Sequence, residues 1–207
     1  MRDRDVRQAL LKVLEHQHLG DSETTVVEEM GVWSGTVRID VAVINGELTG
    51  FELKSERDTL TRLPDQVEVY GLVFDRLYLV TTEKHFRKAK EIVPSWWGSL
   101  IARTEIDGSV SIRERRAAKI NPSINPSVLA RLLWREEALA LLNENGLADG
   151  YRSKAAHVLH DRLAGCLDVQ ALRDGVRRAL KNRANWLGQV STDSFNVPVH
   201  ADTDPGL

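Results

Sequence analysis

The stretch from Arg38 to Ser55 constrains this chain more than any other. Two runs of β-branched and apolar residues, Thr36 to Ile44 and Leu48 to Lys54, flank Asn45-Gly46, and that pattern specifies a β-hairpin. A two-residue Asn45-Gly46 loop would pair Ile44 with Glu47 and Asp40 with Phe51, leaving Glu52 on the face of Ile39, Val41 and Val43. A loop one residue longer pairs Ile44 with Leu48, Ala42 with Gly50, Val41 with Phe51, Asp40 with Glu52 and Ile39 with Leu53. The longer loop gives one apolar face and one face of small and charged residues. A one-residue slip would bury charge among apolar side chains, so the second register is expected.

In that register Asp40 and Glu52 face each other, and strand alternation puts Lys54 beside Glu52. The bland alternative is an exposed salt-bridge network. Adjacent carboxylates repel, however, and a divalent cation relieves that repulsion. Oxygen ligands select Mg²⁺ or Mn²⁺ over zinc.

Around this hairpin the chain reads as alternating elements. Asp3 to Gln17 is a helix, with Val6, Leu10, Val13, Leu14 and Gln17 on one side. Thr24 to Val32 is a strand, broken from the next by Ser34-Gly35. Thr59 to about Phe74 is a helix that tolerates Pro64 only near its first turn. Leu77 to Val80 is a wholly apolar strand, as in a sheet covered on both faces. Leu100 to Thr104 and Ser109 to Arg113 form a hairpin about Asp107-Gly108. Asn121 to Pro126 has linker composition, and Ser127 to Trp186 reads as helices. The expectation is a domain over residues 1–120, a helical module over 127–187 and a flexible tail over 188–207.

The segment resembles the PD-(D/E)XK nuclease core. Its proline-aspartate part is reduced here to Ile39-Asp40, and its D/E-x-K part is Glu52-Leu53-Lys54. Gln66-Val67-Glu68-Val69-Tyr70 is similar to the Gln-x-x-x-Tyr helix motif of RecB-type nucleases. With Pro94-Ser95-Trp96-Trp97-Gly98 and Leu133-Trp134-Arg135, nearly the whole chain resembles an uncharacterised bacterial family within that superfamily, with a RecB-like or Holliday-junction-resolvase-like core. The resemblance implies an α/β, restriction-endonuclease-like fold: a helix, a three-strand antiparallel meander, a helix, a strand and a hairpin, followed here by the C-terminal helices. It implies a Mg²⁺- or Mn²⁺-dependent nuclease acting on nucleic acid, DNA foremost, with a homodimer as one possible arrangement. Asp40 and Glu52 would bind the metal with the backbone carbonyl of Leu53. Lys54 would position water and offset negative charge, and Gln66 and Tyr70 would face the site. A further acid from the first strand or helix is expected: Glu29 is preferred, with Glu28 and Glu15 as rivals.

The remaining signals concern partners and compartment. Arg173, Arg177 and Lys181 share one helix face, a stripe suited to phosphate contacts or to solvent. Lys154 lies in a segment, Leu141 to Leu163, with a short likeness to the SAP-type DNA-binding helical hairpin. His157 and His160 lack an evident third metal ligand. Trp96-Trp97 suits a core beside a turn better than a base-stacking platform. The lone cysteine, Cys166, excludes an internal disulfide and reads as a small buried hydrophobe. The formal net charge is -2, so any nucleic-acid surface must be local. With no apolar leader and no membrane-spanning stretch, the cytoplasm is the expected compartment.

Overall fold

The computed structural model describes residues 1–32, 35, 37–183 and 186. Helix α1 (Asp3–Gln17) is followed by strands β1 (Thr25–Val32), β2 (Val37–Ile44) and β3 (Leu48–Lys54), then helix α2 (Leu63–Tyr70). Next come β4 (Arg76–Thr82), α3 (Glu83–Ile92), β5 (Gly98–Thr104) and β6 (Val110–Arg116). Helices α4 (Pro126–Ala130), α5 (Arg135–Glu144), α6 (Ala156–Cys166) and α7 (Val169–Lys181) complete the described chain. The strands form one six-stranded sheet in sequence order. The meander is antiparallel, β3–β4 and β4–β5 are parallel, and β5–β6 is an antiparallel hairpin. The protein is thus a mixed α/β fold. The proposed tail, residues 188–207, and Ser34 and Thr36 lie outside the described residues.

The β2–β3 register follows the face argument over Ile44–Leu48, Ala42–Gly50 and Val41–Phe51, where the ladder ends; the expected Asp40–Glu52 and Ile39–Leu53 pairs do not form, and Ile39 and Leu53 lie in different clusters. Asn45 holds the three-residue loop, its side chain accepting from the Glu47 amide at 3.0 Å. The two faces differ from expectation. Neither is open, because helices cover both. Val6, Leu10 and Leu14 of α1 pack with Val41, Val43, Phe51 and Leu53. On the other side Ala42, Ile44 and Leu48 pack with Tyr70 and Phe74. Gly50 is required there, since a Cβ would stand 3.0 Å from the Phe74 ring.

Strict alternation fails at one place. Ile39 belongs to the cluster of Ala42 and Ile44, not to that of Val41 and Val43. On β1, Val27 and Met30 likewise share one cluster across an intervening Glu28-Glu29. Glu29 has φ 52°, the one positive non-glycine φ among the described residues. Such a backbone is uncommon for a side-chain-bearing residue and re-aims the strand, as bulges near functional sites do. Glu29 and Asp40 therefore sit where both strands change face.

Other departures have local causes. Helix α2 starts later than expected because Pro64 must stay in the first turn, and it stops at Tyr70, where Gly71 is the C-cap. Helix α3 was not anticipated. Phe86, Ala89 and Val93 follow helical spacing, but the segment is so charged that the apolar signal is thin. Cys166 is exposed, because α6 ends there and buries Leu159 and Leu163 instead. Trp97 is fully buried and Trp96 packs against the same core.

The segment 121–126 is a strap with specific bonds. Asn121 Nδ2 donates to the carbonyls of Gly71 and Phe74 at 2.7 and 2.9 Å, and the Asn125 amide donates to Leu72 at 2.9 Å. Beyond it, Leu129, Leu142, Leu163, Leu172 and Val176 share a hydrophobic cluster with Ile44, Leu48 and Phe74 of the sheet side.

Candidate functional site

A cleft of about 560 Å³ opens where β2 begins and β3 ends, lined by Asp40, Glu52, Leu53, Lys54, Gln66, Arg7 and Glu29 among others. Its floor is set by chain direction: β3 delivers Glu52 and Lys54 toward α2, and the Asp40 end of β2 runs beside it. The Asp40 carboxylate replaces a ladder acceptor, taking the Leu53 amide at 2.8 Å. Burial raises the Asp40 pKa, opposed by that amide and by Arg7.

Glu52 is 1% exposed. Its Oε1 accepts from Lys54 Nζ at 2.6 Å, and the same ammonium reaches Gln66 Oε1 at 3.0 Å. Its Oε2 is buried with no partner. Burial, and then the charge of Asp40, push its pKa up to about 7 against the opposing pull of Lys54. A carboxylate buried with one oxygen unsatisfied costs folding free energy, and such groups concentrate at functional sites.

The residues expected from sequence separate into two sets. Asp40, Glu52, Leu53, Lys54 and Gln66 converge on the cleft. Tyr70 stands behind the cluster and does not line the cleft: it is fully buried, its hydroxyl donates to the Arg38 carbonyl, and the same hydroxyl lies in reach of Glu52 and Gln66. Burial, then the charge of Glu52, raise its pKa, so it acts as a neutral prop between α2 and β2. Glu29 reaches the rim, though by way of its positive φ. Glu28 lies close by, and Glu15 is exposed on α1.

The residue that sequence reasoning missed is Arg7. From α1 it donates to the Asp40 carboxylate at 2.8 Å and to the Asp40 carbonyl at 2.9 Å. It also meets Glu29 at 2.9 Å, Asp3 at 3.4 Å and Glu28 at 3.6 Å. Burial pulls its pKa down, but these acids, Asp40 foremost, outweigh burial and hold it raised. The sequence shows only that Arg7 follows Val6, one position off the buried stripe of α1; its height opposite Asp40 is set by the packing of α1 on the sheet.

Among the described residues no group of three or more Asp, Glu, His or Cys is assembled to hold a metal. Two carboxylates suffice for Mg²⁺, which keeps most of its waters. Glu52 Oε2 is the oxygen such an ion could take as it stands, whereas both Asp40 oxygens are engaged, Oδ1 by Arg7 and Oδ2 by the Leu53 amide, so an ion on Asp40 would have to displace Arg7. His160 is no ligand: it is buried, with Nε2 3.0 Å from the Leu133 carbonyl.

The basic stripe of α7 faces inward. Arg173 and Arg177 meet the two oxygens of buried Asp75 at 3.1 and 3.0 Å, and Lys181 meets Glu23 at 2.5 Å. Asp75 also accepts the Leu48 amide at 2.7 Å, so these arginines fasten α7 to the sheet. Lys154 is exposed in the turn before α6. No described helix is long and apolar enough to cross a membrane.

The chain is similar to protein cII of Enterobacteria phage P4: 27% identity over 183 residues, covering 88% of this chain and 68% of the phage protein. Among solved structures it is similar to a Silicibacter pomeroyi protein of unknown function. That match has a TM-score of 0.46 and 19% identity, and covers 74% of this chain and 96% of the other. The family model of bacteriophage P4 protein cII matches residues 1–192, and the chain belongs to that family.

Proposed function

We propose that this protein is a metal-dependent phosphodiesterase of restriction-endonuclease-like fold that cleaves nucleic acid, DNA foremost, in the cytoplasm. The observation that carries this reading is the buried Glu52–Lys54 pair with its unsatisfied Glu52 oxygen, set beside Asp40 in an open cleft. Asp40 and Glu52 would hold Mg²⁺ or Mn²⁺, with the Leu53 carbonyl and Glu29 as candidates for additional contacts. Bound there, the ion would act as a Lewis acid on the phosphodiester and lower the pKa of water. The chain's own groups do the rest. Lys54, fixed between Glu52 and Gln66, presents a preorganised positive charge where phosphate negative charge accumulates. The Leu53 amide orients Asp40, and Tyr70 keeps α2 seated on β2.

A second reading is favoured by Arg7. Its guanidinium already neutralises Asp40, as in a protein that keeps the fold for binding alone. The deciding experiment is incubation of the wild type, Asp40→Asn and Arg7→Ala with DNA and RNA in Mg²⁺, Mn²⁺ or EDTA. The catalytic reading expects metal-dependent cleavage lost in Asp40→Asn. Cleavage absent in wild type and Arg7→Ala under every condition would overturn it in favour of binding.

A further inference from the structure

We propose that the outer face of α3, extended by Arg115 of β6, is the surface on which a nucleic-acid backbone lies as it approaches the cleft. This deepens the reading of the same site and rests on it for the identity of the ligand. Lys84, Arg87 and Lys88 are exposed and fall at helical positions i, i+3 and i+4 on one face. Like charges at that spacing repel, a cost that a polyanion removes. Among the described residues Arg87, Lys88, Lys90 and Arg115 make no ion pair within 4.0 Å. The contrast is with α7, whose Arg173, Arg177, Arg178 and Lys181 are all paired. Cations without an ion pair occur elsewhere, on α1 and on the cleft wall, but α3 gathers four in ten residues, and Arg115 beside them is shared only with Glu83.

Of the acids on neighbouring elements, Asp65 and Glu68 of α2 are exposed, while those nearest the start of α3 and on β6 are occupied or turned away. Glu83 is held by Arg103 at 2.5 Å and Glu56 by the N-terminus at 3.0 Å. Glu114 meets the Tyr78 hydroxyl on the other face of β6, and Glu91 stands at the far end of α3. Arg115 is fixed over the Phe86 ring at 5.5 Å, which joins β6 to α3.

Topology points the surface at the site. Lys54 pairs with Thr81 in the parallel ladder, and α3 begins at Glu83. The start of α3 therefore lies beside the cleft. Lys84 Nζ donates to the Glu56 carbonyl at 3.0 Å, within the loop that continues to Arg62 on the cleft wall. From β3 to β6 is three strand spacings, about 15 Å, a span that covers several phosphates of a duplex strand.

The test is fluorescence anisotropy with a labelled DNA duplex in EDTA, so that cleavage plays no part. Arg87→Ala/Lys88→Ala is compared with Arg4→Ala/Lys12→Ala, which removes the same charge from exposed positions on α1. Circular dichroism checks that both fold, and Arg115→Ala supplies an independent single change. The α3 pair should lose on the order of tenfold in affinity at low salt and flatten the log–log salt slope by about 1.8. The α1 pair should lose less than twofold, and Arg115→Ala should fall between them. Equal losses in the two pairs, or an unchanged α3 pair, would overturn the surface. So would α3-dependent binding to phosphatidylglycerol vesicles with duplex binding intact. DNA binding through α3, with no cleavage of DNA or RNA by the wild type or Arg7→Ala in Mg²⁺ or Mn²⁺, would uphold the surface and defeat the catalytic reading.

Discussion

The Arg7 guanidinium bonds both the carboxylate and the backbone carbonyl of Asp40, at 2.8 and 2.9 Å. A side chain from α1 thus occupies the seat that a divalent cation would take on β2. Arginine and metal compete for one carboxylate, and the competition is measurable. Arg7→Ala should tighten Mn²⁺ binding by on the order of tenfold in calorimetry. Without metal it should lower stability by about 1–3 kcal/mol, since its acids lose their shared cation. Unchanged metal affinity in Arg7→Ala would mean that the ion, if it binds, does not use Asp40.

Asp40→Asn tests the same seat from the other side. Mg²⁺ or Mn²⁺ should raise the melting temperature of the wild type by linkage to the native state. The shift should vanish in Asp40→Asn. Equal shifts in the two proteins would remove the metal site from Asp40.

Lys54→Ala should lower cleavage by on the order of 10² to 10³ while leaving metal binding intact, because an ammonium is no ligand but is a preorganised charge. Paired rate and metal titrations check this. An unchanged rate would reduce Lys54 to the salt-bridge partner of Glu52.

Asp75→Asn should be a folding mutant with an unaltered site. Buried Asp75 receives Arg173, Arg177 and the Leu48 amide, and removing one partner of a buried ion pair costs about 3–5 kcal/mol. Urea melts should show that loss, with the metal affinity of the folded fraction preserved. A loss below 1 kcal/mol would mean that α7 is held by its apolar face alone.

His160 supplies a pH dependence. Burial lowers its pKa, against a partial offset from the Leu133 carbonyl. The folded state therefore binds the proton more weakly than the unfolded chain. The stability this contributes is complete above the unfolded pKa of about 6.5 and is lost as pH falls from there through the lower folded pKa. Chemical denaturation from pH 8 to pH 5 should show His160→Gln losing less stability than wild type on acidification. Parallel curves would assign acid sensitivity to other groups.

The β2–β3 register followed from the sequence alone, because period-two alternation leaves a single pairing that keeps Glu52 off the Val41 face. The meander, the Asp107-Gly108 hairpin and the convergence of Glu52, Lys54 and Gln66 were legible for the same reason: each depends on residues close in sequence. Three things depended on distant parts meeting. Arg7 reaches Asp40 across 33 residues, and no local pattern pairs a helix cation with one particular acid. Tyr70 is next to Glu52 and Gln66, as the spacing suggests, but packing closed over it and gave its hydroxyl to Arg38, so it backs the site without opening into the cleft. The stripe of α7 reads from sequence as a surface, until Asp75, 102 residues away, draws Arg177 inward. Helical periodicity fixes which side chains share a face, and only the packed chain decides whether that face meets solvent or a buried carboxylate.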